Sequence, residues 1–207
     1  MKLKKIFFGR AALVAIAIFF LAGCTTVVNT NLSEKYSQVR PYRVAVAPVI
    51  WEGWGDEDKD ASRLFRTMTA EKLRNMNYDS IPLEQIDRAY PDSASLKAAD
   101  AASVARSLDA DAVLYIHLTQ WDSSELLTYA SLKMAATYEM YYKDGGRLWQ
   151  ASYHTKEADI RLDTPSMELA LLKAFEPRVQ RFVDVIFTAL PQGQAPSKDE
   201  RFFQWLP

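Results

Sequence analysis

One nearly continuous apolar run, residues 112–118, constrains the fold of this chain more than any other segment. A strand that is covered on both faces carries such a run, because neither of its faces meets water. The segment Asp109-Ala110-Asp111 leads into the run. We therefore predict a central strand here, with other elements packed against both sides of it.

Two alternating segments that follow this strand predict a β-hairpin. Residues 132–142 and 147–159 alternate in polarity, and the turn Lys143-Asp144-Gly145-Gly146 separates them. Glycines supply the positive φ angles that a tight hairpin needs. Because side chains alternate along a strand, Tyr138 lies on one face of the hairpin and Tyr141 on the other.

The remaining pattern places helices around these strands. The first predicted elements are a strand at 42–50, a helix at 61–75 and a short extended piece at 78–83. A short helix is predicted to begin at 82–86, and a further helix is predicted at 95–108, with Pro91-Asp92-Ser93 as its cap. Thr164 and Pro165 can begin another helix, and Pro177 should break or kink it near Phe175.

Apolar residues at three- and four-residue spacing then predict an amphipathic helix, formed by Val179, Phe182, Val183, Ile186, Phe187 and Leu190. Together these elements predict one α/β domain over residues 41–190. It has a mixed β-sheet with a β-hairpin, helices packed on the sheet, and a long C-terminal helical segment. Residues 191–207 are predicted to form a linker and an aromatic tail.

The first 23 residues carry the pattern of a signal peptide. Four basic residues precede a 12-residue apolar run at positions 11–22. A permanent membrane span needs roughly 20 apolar residues, so this run is too short to be one. It fits the apolar region of a signal peptide, which is removed from the mature protein.

The cleavage region Leu21-Ala22-Gly23-Cys24 resembles the bacterial lipobox. In precursors of that family the cysteine thiol receives a diacylglycerol, the chain is cut before the cysteine, and the new amino terminus is acylated. The resemblance implies lipidation at Cys24. Residues 25–40 are polar and lack sustained periodicity, so residues 24–40 are predicted to be a lipidated tether that holds the domain off the membrane. The next residue is Thr25 rather than Asp, which by resemblance to enterobacterial lipoproteins favours export to the outer membrane of a Gram-negative bacterium, facing the periplasm.

The charge and cysteine content exclude several function classes. Residues 1–23 hold four of the 25 basic residues and no acidic residue, so the remaining chain carries 21 basic against 26 acidic residues. A mildly acidic chain lacks the electrostatic footprint of a nucleic-acid-binding protein. The single cysteine excludes an intramolecular disulfide and a multi-cysteine metal site.

No catalytic, metal or cofactor motif is visible in the sequence. His117 and His154 fall at strand positions and are expected to be structural or surface residues. Acidic residues at positions 56–60 alternate as in a calcium loop, but Ala61 and Thr67 occupy the positions of its glycine and its bidentate glutamate. These acids are better suited to a helix N-terminus. We expect no metal, no cofactor and no enzyme activity.

Aromatic residues nominate the candidate interaction surfaces. In the hairpin, one aromatic row can pack on a helix, or the aromatics can meet a partner. The tail, after its polar linker, can dock on its own domain, which we favour, or on a partner. The full candidate set is Trp51, Trp54, Tyr138, Tyr141, Trp149, Tyr153, Phe203 and Trp205.

Several of these features together resemble a family of bacterial lipoproteins without an assigned activity, typified by a neisserial surface-antigen lipoprotein. They are the lipobox, the polar tether, the Val-Ala-Val-Ala-Pro strand, the acidic loop and helix, the Asp109-Ala110-Asp111-Ala112-Val113-Leu114 segment, and the hairpin turn before Leu148-Trp149. That family is similar in fold to the amino-terminal domain of the Tol–Pal propeller protein. It is distantly similar to the periplasmic domain of the curli-secretion lipoprotein. The resemblance carries over no catalytic residue and only one modified residue, Cys24.

The sequence thus predicts a non-catalytic accessory or assembly subunit of an outer-membrane or periplasmic complex. Its expected contacts are the membrane, through the acyl anchor at Cys24, other envelope lipoproteins, and further copies of itself. The alternative is a lipoprotein that binds a small ligand or a glycan. In that case Trp51 and Trp54, at the end of the first strand, would form the mouth of the pocket.

Overall fold

A computed structural model describes residues 28–91, 95–96, 99–125, 131–158 and 175–195 of the chain. Its strands are β1 (Asn29–Leu32), β2 (Arg43–Val46), β3 (Ile50–Trp51), β4 (Asp79–Ser80), β5 (Ala112–Asp122), β6 (Ser131–Tyr142) and β7 (Arg147–Ala158). Its helices are α1 (Lys35–Val39), α2 (Lys59–Asn75), α3 (Leu83–Ala89), α4 (Ala101–Ser107) and α5 (Phe175–Ile186), which a 3₁₀ turn (Phe187–Ala189) follows.

The seven strands form one mixed sheet in the order β1-β7-β6-β5-β2-β4, with β3 pairing β5 next to β2. The pairings of β2 with β4 and of β2 and β3 with β5 are parallel. The pairings of β5 with β6, of β6 with β7 and of β7 with β1 are antiparallel. The predicted α/β class, mixed sheet, hairpin and C-terminal helix are confirmed.

Strand β5 is the central strand that its composition predicts. Leu114 pairs with Val46 of β2 on one side and with Met140 of β6 on the other. Alternate residues enter two separate cores. Leu114 and Ile116 face the core beneath α2 and α5, and Val113 faces the core beneath α3 and α4. Coverage on both faces explains why residues 112–116 include no charged side chain.

The predicted first strand is two strands with a break between them. Val46 pairs with Leu114 and Ile50 with His117, so residues 47–49 lie outside the regular ladder. Pro48 stands in this interval, and a proline has no N–H group to donate to a sheet. The break directs the chain from β3 into the loop that precedes α2.

Helix α2 begins two residues earlier than the predicted helix. The Asp58 side chain accepts hydrogen bonds from the backbone N–H groups of Asp60 (3.1 Å) and Ala61 (3.0 Å), so Asp58 is the N-cap. The prediction that this acidic segment marks a helix N-terminus is confirmed. Phe65 and Leu73 on its apolar side are fully buried.

The prediction of one helix over residues 95–108 is wrong in its extent. Residues 95–96 are helical, but Asp100 has an extended backbone and caps a new helix, α4, by accepting from the Ser103 N–H at 2.8 Å. An aspartate at this position favours an N-cap over a helix interior. The predicted cap at Asp92 and Ser93 lies outside the described residues.

A larger correction concerns the predicted tether. Residues 29–32 form β1 and pair with β7, and α1 follows with Tyr36 buried in the main core. Residues 29–39, which were predicted to belong to the tether, are therefore part of the folded domain, and the predicted domain start at residue 41 is wrong. All four side chains of β1 are exposed, so this strand carries no apolar periodicity, and backbone pairing to β7 holds it in place.

The C-terminal helix packs on the sheet with the apolar residues that predicted it. Val179, Phe182, Val183, Ile186, Phe187 and Leu190 are all buried. Pro177 lies in the first described turn of α5. The predicted helix that starts at Thr164 and Pro165 falls outside the described residues, and Phe175 is the first residue described after them.

Candidate interaction surface

Three of the predicted interaction aromatics belong to the core. Tyr138 and Trp149 are fully buried, and Tyr153 is 8% exposed. Their rings contact the C-terminal helix and the turn after it, where Tyr138 lies 5.6 Å from Phe187, Trp149 5.3 Å from Phe187, and Tyr153 4.8 Å from Phe182, measured between centroids. These three side chains cannot form an exposed surface, so the candidate set is wrong at these positions. The expectation that one row packs on a helix is confirmed.

The other face of the hairpin remains in contact with solvent. Side chains on this face are half-buried or exposed, in contrast to the buried rows that alternate with them. We call this surface the open face and define it by Ala135, Thr137, Glu139 and Tyr141 of β6 and Gln150, Ser152 and His154 of β7. At its centre the hydroxyls of Thr137 and Ser152 form a cross-strand hydrogen bond of 2.9 Å.

Glu139 organises the polar groups at one end of the open face. Its carboxylate accepts from Arg147 Nη1 at 3.1 Å and from the Tyr141 hydroxyl at 3.0 Å. His117 Nε2 lies 3.8 Å from the same carboxylate, and His117 Nδ1 lies 2.8 Å from Glu52 Oε1. The network joins β5, both hairpin strands and the loop after β3. Its side chains are thus held in place before any partner arrives.

Two tyrosines from neighbouring strands extend this network as an aromatic pair. Tyr115 of β5 and Tyr141 of β6 meet edge to face with their centroids 5.8 Å apart. Burial raises the pKa of Tyr115 to about 12. The pKa of Tyr141 is also raised, mainly by burial and to a lesser extent by its hydrogen bond to Glu139. Both phenols are therefore neutral donors at physiological pH. They line an open cleft of about 370 Å³ together with His117 and Glu139.

A second charged group lies at the opposite end of the hairpin. Lys133 Nζ pairs with Asp122 Oδ2 at 3.1 Å and with Glu125 Oε1 at 3.0 Å, and Lys156 pairs with Glu125 at 2.9 Å. Hydrogen bonds from Ser124, and to a lesser extent one from Lys133, lower the pKa of Asp122 to about 2. The surface therefore presents charges of both signs at each end, with small side chains between them.

The two tryptophans of the loop after β3 have different environments. The Trp51 indole N–H donates to the Gly55 carbonyl at 3.0 Å, and its ring packs over Gly53, where any Cβ atom would lie 2.5 Å from the ring. Trp54 is completely exposed. Of the pair, only Trp54 presents its whole side chain to a partner. A ligand pocket bounded by both residues stays a prediction.

The outer strand β1 completes the accessible sheet surface. It lies at the end of the sheet, hydrogen-bonded to β7 on one side, and Leu32 is 43% exposed. An edge strand presents unpaired N–H and C=O groups that a strand of another chain can use. No sequence pattern indicates this strand, because none of its side chains is buried.

The remaining candidates lie outside the described residues: Cys24, Phe203 and Trp205. Within the described ranges, no helix is long and apolar enough to cross a bilayer. The same ranges contain no cluster of three or more His, Cys, Asp or Glu side chains arranged to hold a metal ion.

Comparisons with known proteins identify relatives in fold. No protein-family model and no curated protein sequence matches the chain. The chain is similar to Lipoprotein GNA1162 from Neisseria meningitidis at 19% identity and a TM-score of 0.51, over 68% of this chain and 99% of that one. It shares its fold with a neisserial lipoprotein. The resemblance drawn from the sequence is confirmed to that extent.

A second solved structure covers more of the chain. The PelC dodecamer from Paraburkholderia phytofirmans matches at 16% identity and a TM-score of 0.53, over 82% of this chain and 99% of that one. A dodecamer of a PelC point variant from the same organism matches with a TM-score of 0.50, over 78% of this chain and 96% of that one. Identities this low establish a common fold.

The residues that organise the open face were not predicted from the sequence. Glu139 and Arg147 were not nominated, and His117 was expected to be structural or at the surface. The alternation of β6 already puts Glu139 and Tyr141 in one row, which is a signal for two neighbouring polar groups. The contacts with His117 and Glu52 depend on the pairing of β5 with β3 and β6, which no local pattern specifies.

Proposed function

We propose that this protein is a lipid-anchored, non-catalytic assembly subunit of the bacterial envelope, and that it associates with copies of itself through the open face and β1. The observation that carries the proposal is the contrast between the two hairpin faces. One face is buried beneath α5, whereas the other keeps a row of half-exposed side chains with an ordered polar network.

The chemistry of the open face suits contact with a protein. Tyrosine and arginine are enriched at protein interfaces, and Tyr141 and Arg147 are both fixed by Glu139. Side chains that are already ordered lose less conformational entropy when a partner binds. Charges of both signs at each end let a second copy of the same surface provide complementary partners.

Two structural neighbours support self-association and a location in the envelope. PelC, whose fold this chain shares, forms a dodecamer, which supports self-association. GNA1162 is a lipoprotein, which supports the anchor at Cys24. With the signal peptide and Thr25, we place the protein in the Gram-negative envelope, on the periplasmic side of the outer membrane, with other envelope lipoproteins as further partners.

The experiment introduces a bulky charge at the centre of the open face. Thr137→Arg places a long cation over the Thr137–Ser152 pair, at a half-buried side chain that the cores do not need. Glu71→Arg, at an exposed position on α2, is the matched control. Native mass spectrometry of each protein extracted in detergent gives its assembly state, and thermal melting confirms that both variants are folded.

We expect the wild-type and Glu71→Arg proteins to form the same oligomer and Thr137→Arg to be monomeric at the same concentration. A monomeric wild-type protein would refute self-association. An unchanged oligomer in a folded Thr137→Arg variant would show that the contact lies elsewhere. Affinity purification from the solubilised envelope tests the further partners, because a subunit without any envelope partner contradicts the accessory role.

A further inference from the structure

A groove at the C-terminal end of β1 has an apolar wall and is open to solvent. It measures about 440 Å³ and runs between the end of β1, helix α1 and residues 191–194. Leu32, Tyr36, Pro41 and Pro191 contribute its apolar surface. Leu32 is, with Trp54, one of two exposed large hydrophobic side chains among the described residues.

The chain itself is fixed along one wall of this groove. The Gly193 N–H donates to the Met76 carbonyl at 2.7 Å, and a Cβ atom on Gly193 would lie only 2.6 Å from the Asn77 carbonyl oxygen. The Tyr78 hydroxyl donates to the Pro191 carbonyl at 2.6 Å. Only glycine permits so close an approach, so these contacts define the path on which the chain leaves the domain.

The last described residues end at the groove. Gln194 lines it, and its side-chain oxygen accepts from Arg40 Nη1 at 3.3 Å across the opening. Beyond Ala195, six residues lead to Phe202, which begins the sequence Phe-Phe-Gln-Trp-Leu. Seven steps of extended chain span about 25 Å at ~3.5 Å per residue, so this sequence can reach any part of the groove.

We propose that the groove is the docking site of this protein's own C-terminal tail, with aromatic side chains of residues 202–206 packed against Leu32, Tyr36 and Pro41. The tail carries four large apolar side chains, which lose contact with water only if they find a surface. The groove is the apolar surface at which the described chain ends. This proposal concerns contacts within one chain, and it shares only Leu32 with the surface that the proposed function assigns to self-association.

Tethering favours the tail over any external ligand. A segment joined to the groove by a short linker has an effective concentration in the millimolar range, whereas another protein must compete from solution. Closing a loop of this length has a small entropic cost, because the linker starts on the groove wall. The tail then covers Leu32, the last residue of the edge strand β1.

Limited proteolysis of residues 25–207, which include every described residue, tests this proposal. Trypsin cleaves after Arg201, directly before the aromatic sequence, and mass spectrometry measures release of residues 202–207. Leu32→Asp places a charge in the apolar wall, and Ser37→Glu, at an exposed position on α1, adds a negative charge to a lining that already includes Glu34 and Arg40. Trp54→Asp is the matched control, since it alters the other exposed hydrophobic residue. None of these changes creates a new trypsin site.

We expect release of the tail to be at least tenfold faster in Leu32→Asp and Ser37→Glu than in the wild type and Trp54→Asp, with every variant still folded by thermal melting. Equal rates in all four proteins would overturn the proposal. Protection that needs phosphatidylglycerol vesicles would assign the tail to the membrane instead. Protection that grows with protein concentration would assign it to a second copy, and both outcomes also overturn it.

Discussion

The hydroxyl oxygens of Tyr138 and Thr69 lie 3.1 Å apart in the interior, where one hydrogen bond joins the hairpin to α2. Neither side chain is exposed to solvent. Burial raises the pKa of Tyr138, so its phenol stays protonated and can donate. The two hydroxyls satisfy each other in a region that excludes water, which allows a polar aromatic residue to occupy the core.

Removing one of these hydroxyls should destabilise the protein. Tyr138→Phe takes away the partner of the buried Thr69 hydroxyl, and we expect the free energy of unfolding to fall by about 1–3 kcal/mol. Urea unfolding measures this change. Tyr141→Phe is the matched control and should cost less, because the partly exposed Glu139 carboxylate keeps its hydrogen bond from Arg147 and can accept one from water. Equal losses for the two variants would contradict the assigned burial.

Alkaline pH should weaken the fold through Tyr115. Its pKa is raised by burial to about 12, whereas a tyrosine in the unfolded chain titrates near ~10. Above pH ~10 the unfolded chain releases a proton that the folded chain retains. The free energy of unfolding therefore falls by up to ~1.4 kcal/mol per pH unit until pH ~12, and this contribution is fully present below pH ~10.

The matched measurement compares wild type with Tyr115→Phe at pH values of about 9, 10 and 11, which bracket the onset of tyrosine ionisation in the unfolded chain. The variant lacks this titrating group, so its stability should decline less steeply with pH than that of the wild type. Tyr36, Tyr78, Tyr138 and Tyr141 also have raised pKa values, and these tyrosines are present in both proteins. Parallel curves for the two proteins would show that Tyr115 ionises equally in both states.

A charge in the central strand should prevent folding. Leu114 is fully buried and is paired on both sides, so Leu114→Asp leaves a carboxylate with a desolvation penalty of several kcal/mol. The total stability of a domain is only about 5–15 kcal/mol. Circular dichroism should show no cooperative melt. Leu114→Met preserves volume and should cost less than ~1.5 kcal/mol, and a cooperatively melting Asp variant would contradict the central position of β5.

Lipidation at Cys24 should determine membrane attachment without affecting the fold. Cys24 precedes all described residues, so we expect Cys24→Ser to yield a folded, exported protein that incorporates no labelled palmitate and leaves the membrane fraction. Metabolic labelling and cell fractionation measure both effects. A serine variant that still carries palmitate would refute the lipobox assignment.

The sequence by itself determined those elements in which the spacing of apolar side chains indicates which residues are buried. The apolar run in β5, the alternation in β6 and β7, and the helical spacing in α5 each predict a structure, because solvent exclusion follows the local period of the backbone. The acidic segment before α2 likewise indicated where this helix begins, because the Asp58 side chain accepts hydrogen bonds from the backbone N–H groups two and three residues further along the chain.

Only the tertiary structure decided which face of the hairpin is covered. Alternation separates Tyr138 from Tyr141 but treats the two faces as equivalent. The choice between them comes from the C-terminal helical segment, distant in sequence, whose Phe187 packs on Tyr138. Strand β1 also depended on distant residues, because its pairing with β7 uses backbone groups that every sequence possesses. Burial periodicity is local, whereas the partner that provides the burial is not.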